Sequence, residues 1–302
     1  IKPLEKVDDL PKLTQELRRR AAAAPRIAGD YGTPMALLTN GETKALSAML
    51  RALPVEGQKQ HLSALAGGVG DLGMFRQVMQ TIAPDAPTVA VAGIYQSRGL
   101  RTTDKRDVAD LILRGQAILS PDKKTDGSGH AGGQSLVKMP EAKHMLGEWV
   151  SVTGDAFKGK EQAADLFMQT ARAIYAARSA EDGDYSGVIN ARRWRAAIQL
   201  ATGGIQRHNG SEIVMPYGMA YDKFRDGLQT RADALEKAGT LIGATARDVQ
   251  RLPLENVGDG RYMLRRGAGY LVGKDGRPVV LDFNTAPRCA SIFSATSRQR
   301  RC

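Results

Sequence analysis

Cysteine is almost missing from this chain: among its 302 residues only Cys289 and Cys302 are cysteine. Both lie near the end, so no disulfide framework and no cysteine-based zinc site organises the body, and folding is expected to tolerate a reducing environment. Aromatic residues are scarce too, at 5%, which predicts an interior of aliphatic and small side chains. No apolar run approaches the ~18–20 residues of a membrane helix, and no signal-peptide pattern opens the chain, so no transmembrane segment is expected. Histidine occurs four times, as His61, His130, His144 and His208, in unrelated contexts. His144 and Glu148 stand four apart on one helical face but find no third ligand, and without H-E-x-x-H metal catalysis is not expected. No G-x-S-x-G elbow is present, Ser128 falls in a Gly-rich polar stretch, and Gly267-Ala268-Gly269 lacks the spacing of a dinucleotide loop. Acidic residues are in deficit, 32 against 43 basic ones, for a formal net charge of +11. That excess favours nucleic acid, anionic lipid or an acidic polymer as a partner, because bound Lys and Arg release counterions from such surfaces.

What the chain does have is two grammars that meet near residue 240. Upstream, apolar residues recur mostly at helical spacing; downstream, from Leu252 to Phe283, they form short runs cut by Gly-rich turns. Asp275-Gly276, flanked by Val272 and by Val279-Val280-Leu281, supplies the positive φ of a tight hairpin. The expected fold is therefore mainly α, a helical array or bundle closed by a small C-terminal antiparallel β element. The length suggests about two domains, and composition divides the chain into an N-terminal helical domain (1–120), a polar Gly-rich linker (121–139), a second helical domain (140–239), a β-rich element (240–283) and a basic disordered tail (284–302). A first helix is expected from Val7 to Ala24, broken before Pro25. Asp71 is placed to cap a helix carrying Phe75, Val78, Met79 and Ile82, and Thr103 or Asp104 to cap the next. Longer helices are expected over 140–157, 160–177, 189–201 and 219–237, with a short strand at 211–215. The tail is expected to be dispensable for folding. Ile1, in place of Met, points to a trimmed, processed or longer polypeptide.

Four groups of residues invite chemistry. Gly154-Asp155-Ala156-Phe157-Lys158-Gly159-Lys160-Glu161 nearly spells a phosphate-binding loop, but Glu161 stands where a magnesium-binding hydroxyl belongs and the preceding residues have helix spacing rather than strand spacing. Asp182, Asp184, Ser186 and Asn190 occupy positions 1, 3, 5 and 9 of a calcium loop, with Gly187 at the sharp turn; position 12 is Arg193 in place of the bidentate Glu. The missing carboxylate favours a plainer reading of the same residues, an Asp/Gly-rich interhelical turn in which Asp184 or Ser186 caps the next helix. Calcium is the one ion the sequence invites, and no other cofactor is expected. Arg192, Arg193, Trp194 and Arg195 form the densest basic and aromatic cluster, either a clamp for a nucleic-acid strand or a helix turn with Trp194 buried. Glu148, Glu161, Asp165 and Asp184 are available to a glycosidase, which needs two carboxylates on a rigid cleft; the sequence identifies no catalytic pair among them.

Within Asp165 to Phe224 the text "LFMQTARAIYAARSAEDGDYSGVINARRWRAAIQLATGGIQRHNGSEIVMPYGMAYDKF", which begins at Leu166, resembles C-terminal regions of large phage and prophage virion proteins, the internal or ejection proteins of short-tailed phages. "ALLTNGETKALSAMLRALP" and "YLVGKDGRPVVLDF" share that style. The resemblance implies a virion component that leaves the capsid with or before the DNA, assists its transfer through the host envelope, and works beside other virion proteins as a homo-oligomer. Some such proteins carry a lytic transglycosylase domain elsewhere in the polypeptide. Its Glu-Ser and Gly-Leu-Met-Gln motifs are absent here, so the resemblance implies a structural, ejection-associated role without catalysis; the competing reading is a peptidoglycan-degrading fragment.

Overall fold

A computed structural model describes residues 8–31, 36–102, 107–120, 137–258 and 260–283. Thr103, Asp104, Ser128, His130, most of the expected linker and the whole expected tail lie outside these residues. The described chain is mainly α, with a small antiparallel sheet towards its C-terminus. It forms two units, one of Ile1–Val152 with Gly159–Ala201, the other of Thr153–Lys158 with Thr202–Cys302. Residues 140–201, expected to start a second helical domain, thus fold mostly with the N-terminal helices.

The helical unit contains α1 (Leu10–Tyr31), α2 (Asn40–Ala52), α3 (Val55–Val69), α4 (Leu72–Ile82), α5 (Pro87–Ser97), α6 (Val108–Leu119), α7 (Ala142–Thr153), α8 (Glu161–Glu181) and α9 (Ala191–Thr202). α1 runs through Pro25 rather than stopping before it. Pro25 is exposed, so the helix loses one backbone hydrogen bond while Leu13, Leu17, Ala21 and Ala24 keep a continuous buried stripe. Thr39 and Glu42 close a capping box on α2, and Asp71 caps α4 through the Met74 amide as expected. The cap of α6 is Asp107.

α5 has no counterpart among the expected helices. Thr88, Val89, Ala90, Val91, Ala92 and Tyr95 are all buried, because α3, α4, α6 and α8 pack around it; a helix buried all round shows no amphipathic period. α6 and α8 approach almost backbone to backbone. A Cβ on Gly115 would stand 1.7 Å from the Ala173 carbonyl oxygen, and Ala173, Ala176 and Ala177 keep the facing stripe small. Gly115→Ala is therefore expected to force the helices apart at a cost of about 1–3 kcal/mol or more. Both tryptophans, Trp149 and Trp194, belong to this unit, so the effect is read as a lower denaturation midpoint in tryptophan fluorescence.

The second unit carries the hairpin β1 (Ile205–His208) and β2 (Ser211–Val214), then α10 (Tyr221–Lys237), α11 (Ala246–Arg251), β3 (Leu254–Gly258), β4 (Arg261–Arg266), β5 (Gly269–Tyr270) and β6 (Val280–Asp282). β4 is central, paired antiparallel to β3 along one edge and to β5 and β6 along the other. The turn at Asp275-Gly276 forms as expected, with Gly276 at φ +75° and Val272 bridging Pro278. Tyr262, Leu264, Leu271, Leu281 and Phe283 face inward onto Phe224, Leu228 and Ala232 of α10. Phe224 stacks on Phe283 with centroids 4.6 Å apart, and Tyr262 meets both rings edge-on. Asn256 joins hairpin to sheet: its amide accepts from Val214 N and donates to Val214 O, each at 2.9 Å, and the Tyr262 hydroxyl donates to the same carbonyl at 2.6 Å.

Candidate functional site

The calcium-like loop leaves α8 at Asp182 and enters α9 at Ala191. Gly183 and Gly187 take φ +66° and +76°, a region open to glycine that lets the chain reverse over a few residues. Inside the loop lies the guanidinium of Arg193. Its Nη1 donates to Asp184 Oδ2 at 2.6 Å and Ser179 Oγ at 3.1 Å, while Nη2 and Nε donate to Asp182 Oδ2 at 2.9 and 3.2 Å. The guanidinium carbon sits 5.6 Å from the centre of the Tyr175 ring, within range of a cation–π contact. The twelfth loop residue, where a calcium loop brings its last carboxylate, here brings a positive charge to the two carboxylates that would have bound the ion.

The remaining candidate ligands are engaged as well. Asp184 Oδ1 accepts from Ser186 N at 3.2 Å and Ser186 Oγ at 2.7 Å, and Ser186 Oγ accepts from Val188 N at 3.1 Å. Asn190 caps α9 by accepting from Arg193 N at 3.0 Å, so the cap is neither Asp184 nor Ser186. The Tyr175 hydroxyl, accepting from Asn190 N at 3.0 Å, pins the loop to α8. Of the four residues the sequence offers to calcium, Asp182 and Asp184 share the Arg193 guanidinium, Ser186 bonds to Asp184, and Asn190 serves as the helix cap. Among the described residues no group of three or more His, Cys, Asp or Glu is placed to hold a metal ion.

The Arg193 hydrogen bond foremost, then those from the Ser186 side chain and amide, hold the Asp184 carboxyl down to about 2 from an ordinary 3.8. A depressed carboxyl stabilises the fold at pH above its unfolded value, and that contribution is lost as pH falls through the folded one. The tryptophan-monitored midpoint is therefore expected to drop between about pH 4 and 2, and Arg193→Gln to flatten that part of the profile. An unchanged profile in the variant would show that the guanidinium does not set the carboxyl.

The basic and aromatic cluster does not form one face. Trp194 is fully buried; its Nε1 donates to Met145 O at 2.9 Å and its ring meets Tyr175 edge-on, centroids 5.9 Å apart. It presents no surface on which a base could stack, which corrects the nucleic-acid reading at that residue. Arg193 is held in the loop, and Arg195 is paired with Glu148 at 2.8 and 3.3 Å. Arg192 alone of the four is exposed with no such engagement described.

The four carboxylates offered to a glycosidase are equally scattered. Glu148 is on Arg195, Asp184 is pushed opposite to the raised value a general acid needs, and Glu161 and Asp165 stand exposed in the first turns of α8. The near phosphate loop follows α7, not a strand, and its Asp155 accepts from the Glu212 amide at 3.0 Å at the start of β2. A Cβ on Gly154 would meet Glu212 Cδ at 2.9 Å, so this turn is packed on the hairpin and offers no open phosphate cradle. Arg193 as an internal counter-ion was readable only as a residue of the wrong sign at position 12. The chain matches none of the protein-family models, curated proteins or solved structures with which it was compared.

Proposed function

We propose that the chain is a structural, ejection-associated module of a phage virion protein, delivered into the host envelope during infection and acting without catalysis of its own. The observation that carries this reading is the engagement of the chemically suggestive side chains with one another: Arg193 with Asp182 and Asp184, Arg195 with Glu148, Trp194 with Met145 and Tyr175. Side chains arranged this way stiffen a helical scaffold and present no activated group. The resemblance of residues 165–224 to internal virion proteins supplies the context, and the net charge of +11 suits contact with DNA or an anionic envelope polymer. Other virion proteins, and further copies of the chain, are the partners this role requires. No described helix is long and apolar enough to cross a membrane.

Mass spectrometry of purified particles, before and after triggered DNA release, tests the proposal. The chain should be found in intact particles and be lost from emptied ones. Its absence from particles overturns the reading. Muropeptide release from peptidoglycan by the full chain, abolished by replacing a single acidic residue, would establish the hydrolase instead.

A further inference from the structure

The β1–β2 turn is tied down by a buried histidine. His208, 4% exposed, ends β1 and lies edge-on to Phe224, centroids 5.8 Å apart, and to Tyr221 at 6.1 Å. Its Nδ1 is 3.0 Å from the Tyr221 hydroxyl and its Nε2 is 3.0 Å from Nδ2 of Asn209, the turn residue, which sits at φ +47°. Asn209 Nδ2 also donates to the carbonyls of Gln250 and Leu252, at 2.7 and 3.1 Å, where α11 ends. An atom facing two carbonyl oxygens must be the amide nitrogen, so Nε2 is an acceptor. The proton of the neutral ring is then on Nδ1, which donates to Tyr221, whose hydroxyl points on to Arg207 O at 3.5 Å.

We propose that His208 is an acid-sensitive latch: a proton taken from solvent onto Nε2 sets N–H against N–H at Asn209 and releases the β1–β2 turn from the end of α11. Burial first, and the charge of Arg225 on α10 second, hold the imidazole below its usual range. The other titratable group against the ring is Tyr221; Arg207 on β1 and Arg247, Asp248 and Arg251 on α11 are exposed. A lowered pKa stabilises the fold above the unfolded value of about 6.5, and this stability is lost as pH falls through the folded value. Asp155, Asp184 and Asp248 are held below their ordinary 3.8 and Glu16 below its ordinary 4.5, outside the range from about pH 7.5 to 5.

Hydrogen exchange of the full chain across that range, corrected for intrinsic rates, is the test. Amides of 205–214 and 246–252 should lose protection by up to about tenfold per pH unit once His208 begins to protonate, while α6 and α8 keep theirs. The His208 ring resonance in the wild-type protein should titrate below the ordinary histidine value of about 6.5. His208→Phe, which keeps the ring contacts, should make the hairpin independent of pH. Unchanged hairpin protection in the wild type, or the same pH dependence in His208→Phe, overturns the proposal; should the variant fail to fold, the wild-type exchange and the ring titration decide it.

Discussion

Arg20→Ala is expected to destabilise the helical unit by about 3–5 kcal/mol, read as a large fall in the tryptophan-monitored denaturation midpoint. Arg20 is 1% exposed. Its Nε donates to Glu16 at 2.8 Å, Nη1 to Glu42 and to Leu37 O at 2.8 Å each, and Nη2 to the other Glu42 oxygen at 2.9 Å. Glu42 is itself buried and simultaneously accepts from Thr39 N at 2.8 Å, closing the cap of α2. Removing the guanidinium strands a buried carboxylate, which costs far more than the pair contributes relative to apolar residues of the same volume. Arg20→Met with Glu42→Gln should therefore recover most of the loss, because Gln still serves the capping box and no charge remains buried. Glu16, held down to about 2 by Arg19 first and Arg20 also, keeps its Arg19 partner in either variant. A loss below about 1 kcal/mol in Arg20→Ala would place the pair among solvent-screened surface bridges and contradict the burial of Arg20 against Glu42.

Trp194→Ala should cost a similar amount, about 3–5 kcal/mol, since it empties a fully buried indole site. Trp194→Phe should cost less: the edge contact with Tyr175 can persist, and the Met145 carbonyl loses its donor, a penalty of about 1–3 kcal/mol. Both substitutions lie beside Arg193 and should not be additive with changes there. Denaturation followed by far-UV circular dichroism measures them, with the remaining Trp149 as a local reporter. A Trp194→Ala protein of unchanged stability that loses affinity for single-stranded nucleic acid would reinstate the stacking role that burial of the ring removes.

These two side chains show where the sequence was legible and where it was not. The periodic runs around Phe75, Val78, Met79 and Ile82 became α4 with the expected Asp71 cap, and Asp275-Gly276 became a turn, because each signal is local: one face, one cap, one positive φ. α5 leaves no amphipathic pattern in the sequence because burial on every side erases the period that marks a helix. Pro25 reads as a stop, yet α1 continues through it to Tyr31, the exposed proline depriving the helix of a single backbone hydrogen bond. β1 and α11 are short, and their order comes from tertiary partners such as Asn209 with Gln250 and Leu252. At the candidate site, the sequence showed the ligands and the wrong-signed twelfth residue. It did not show that Arg193 would turn inward, which depends on α8 presenting Ser179 and Tyr175 to the same point.

The central claim, that the loop from Asp182 to Asn190 carries its own cation and is structural, is tested most directly by calorimetric titration of the intact chain with calcium. A guanidinium already in contact with both Asp182 and Asp184 must be displaced before the ion can enter, and no twelfth-position carboxylate replaces it. The predicted result is a dissociation constant no tighter than about millimolar, and a gain in stability under about 1 kcal/mol at ordinary calcium concentrations. Submicromolar binding that Asp182→Ala abolishes would contradict the account and make the loop a metal site.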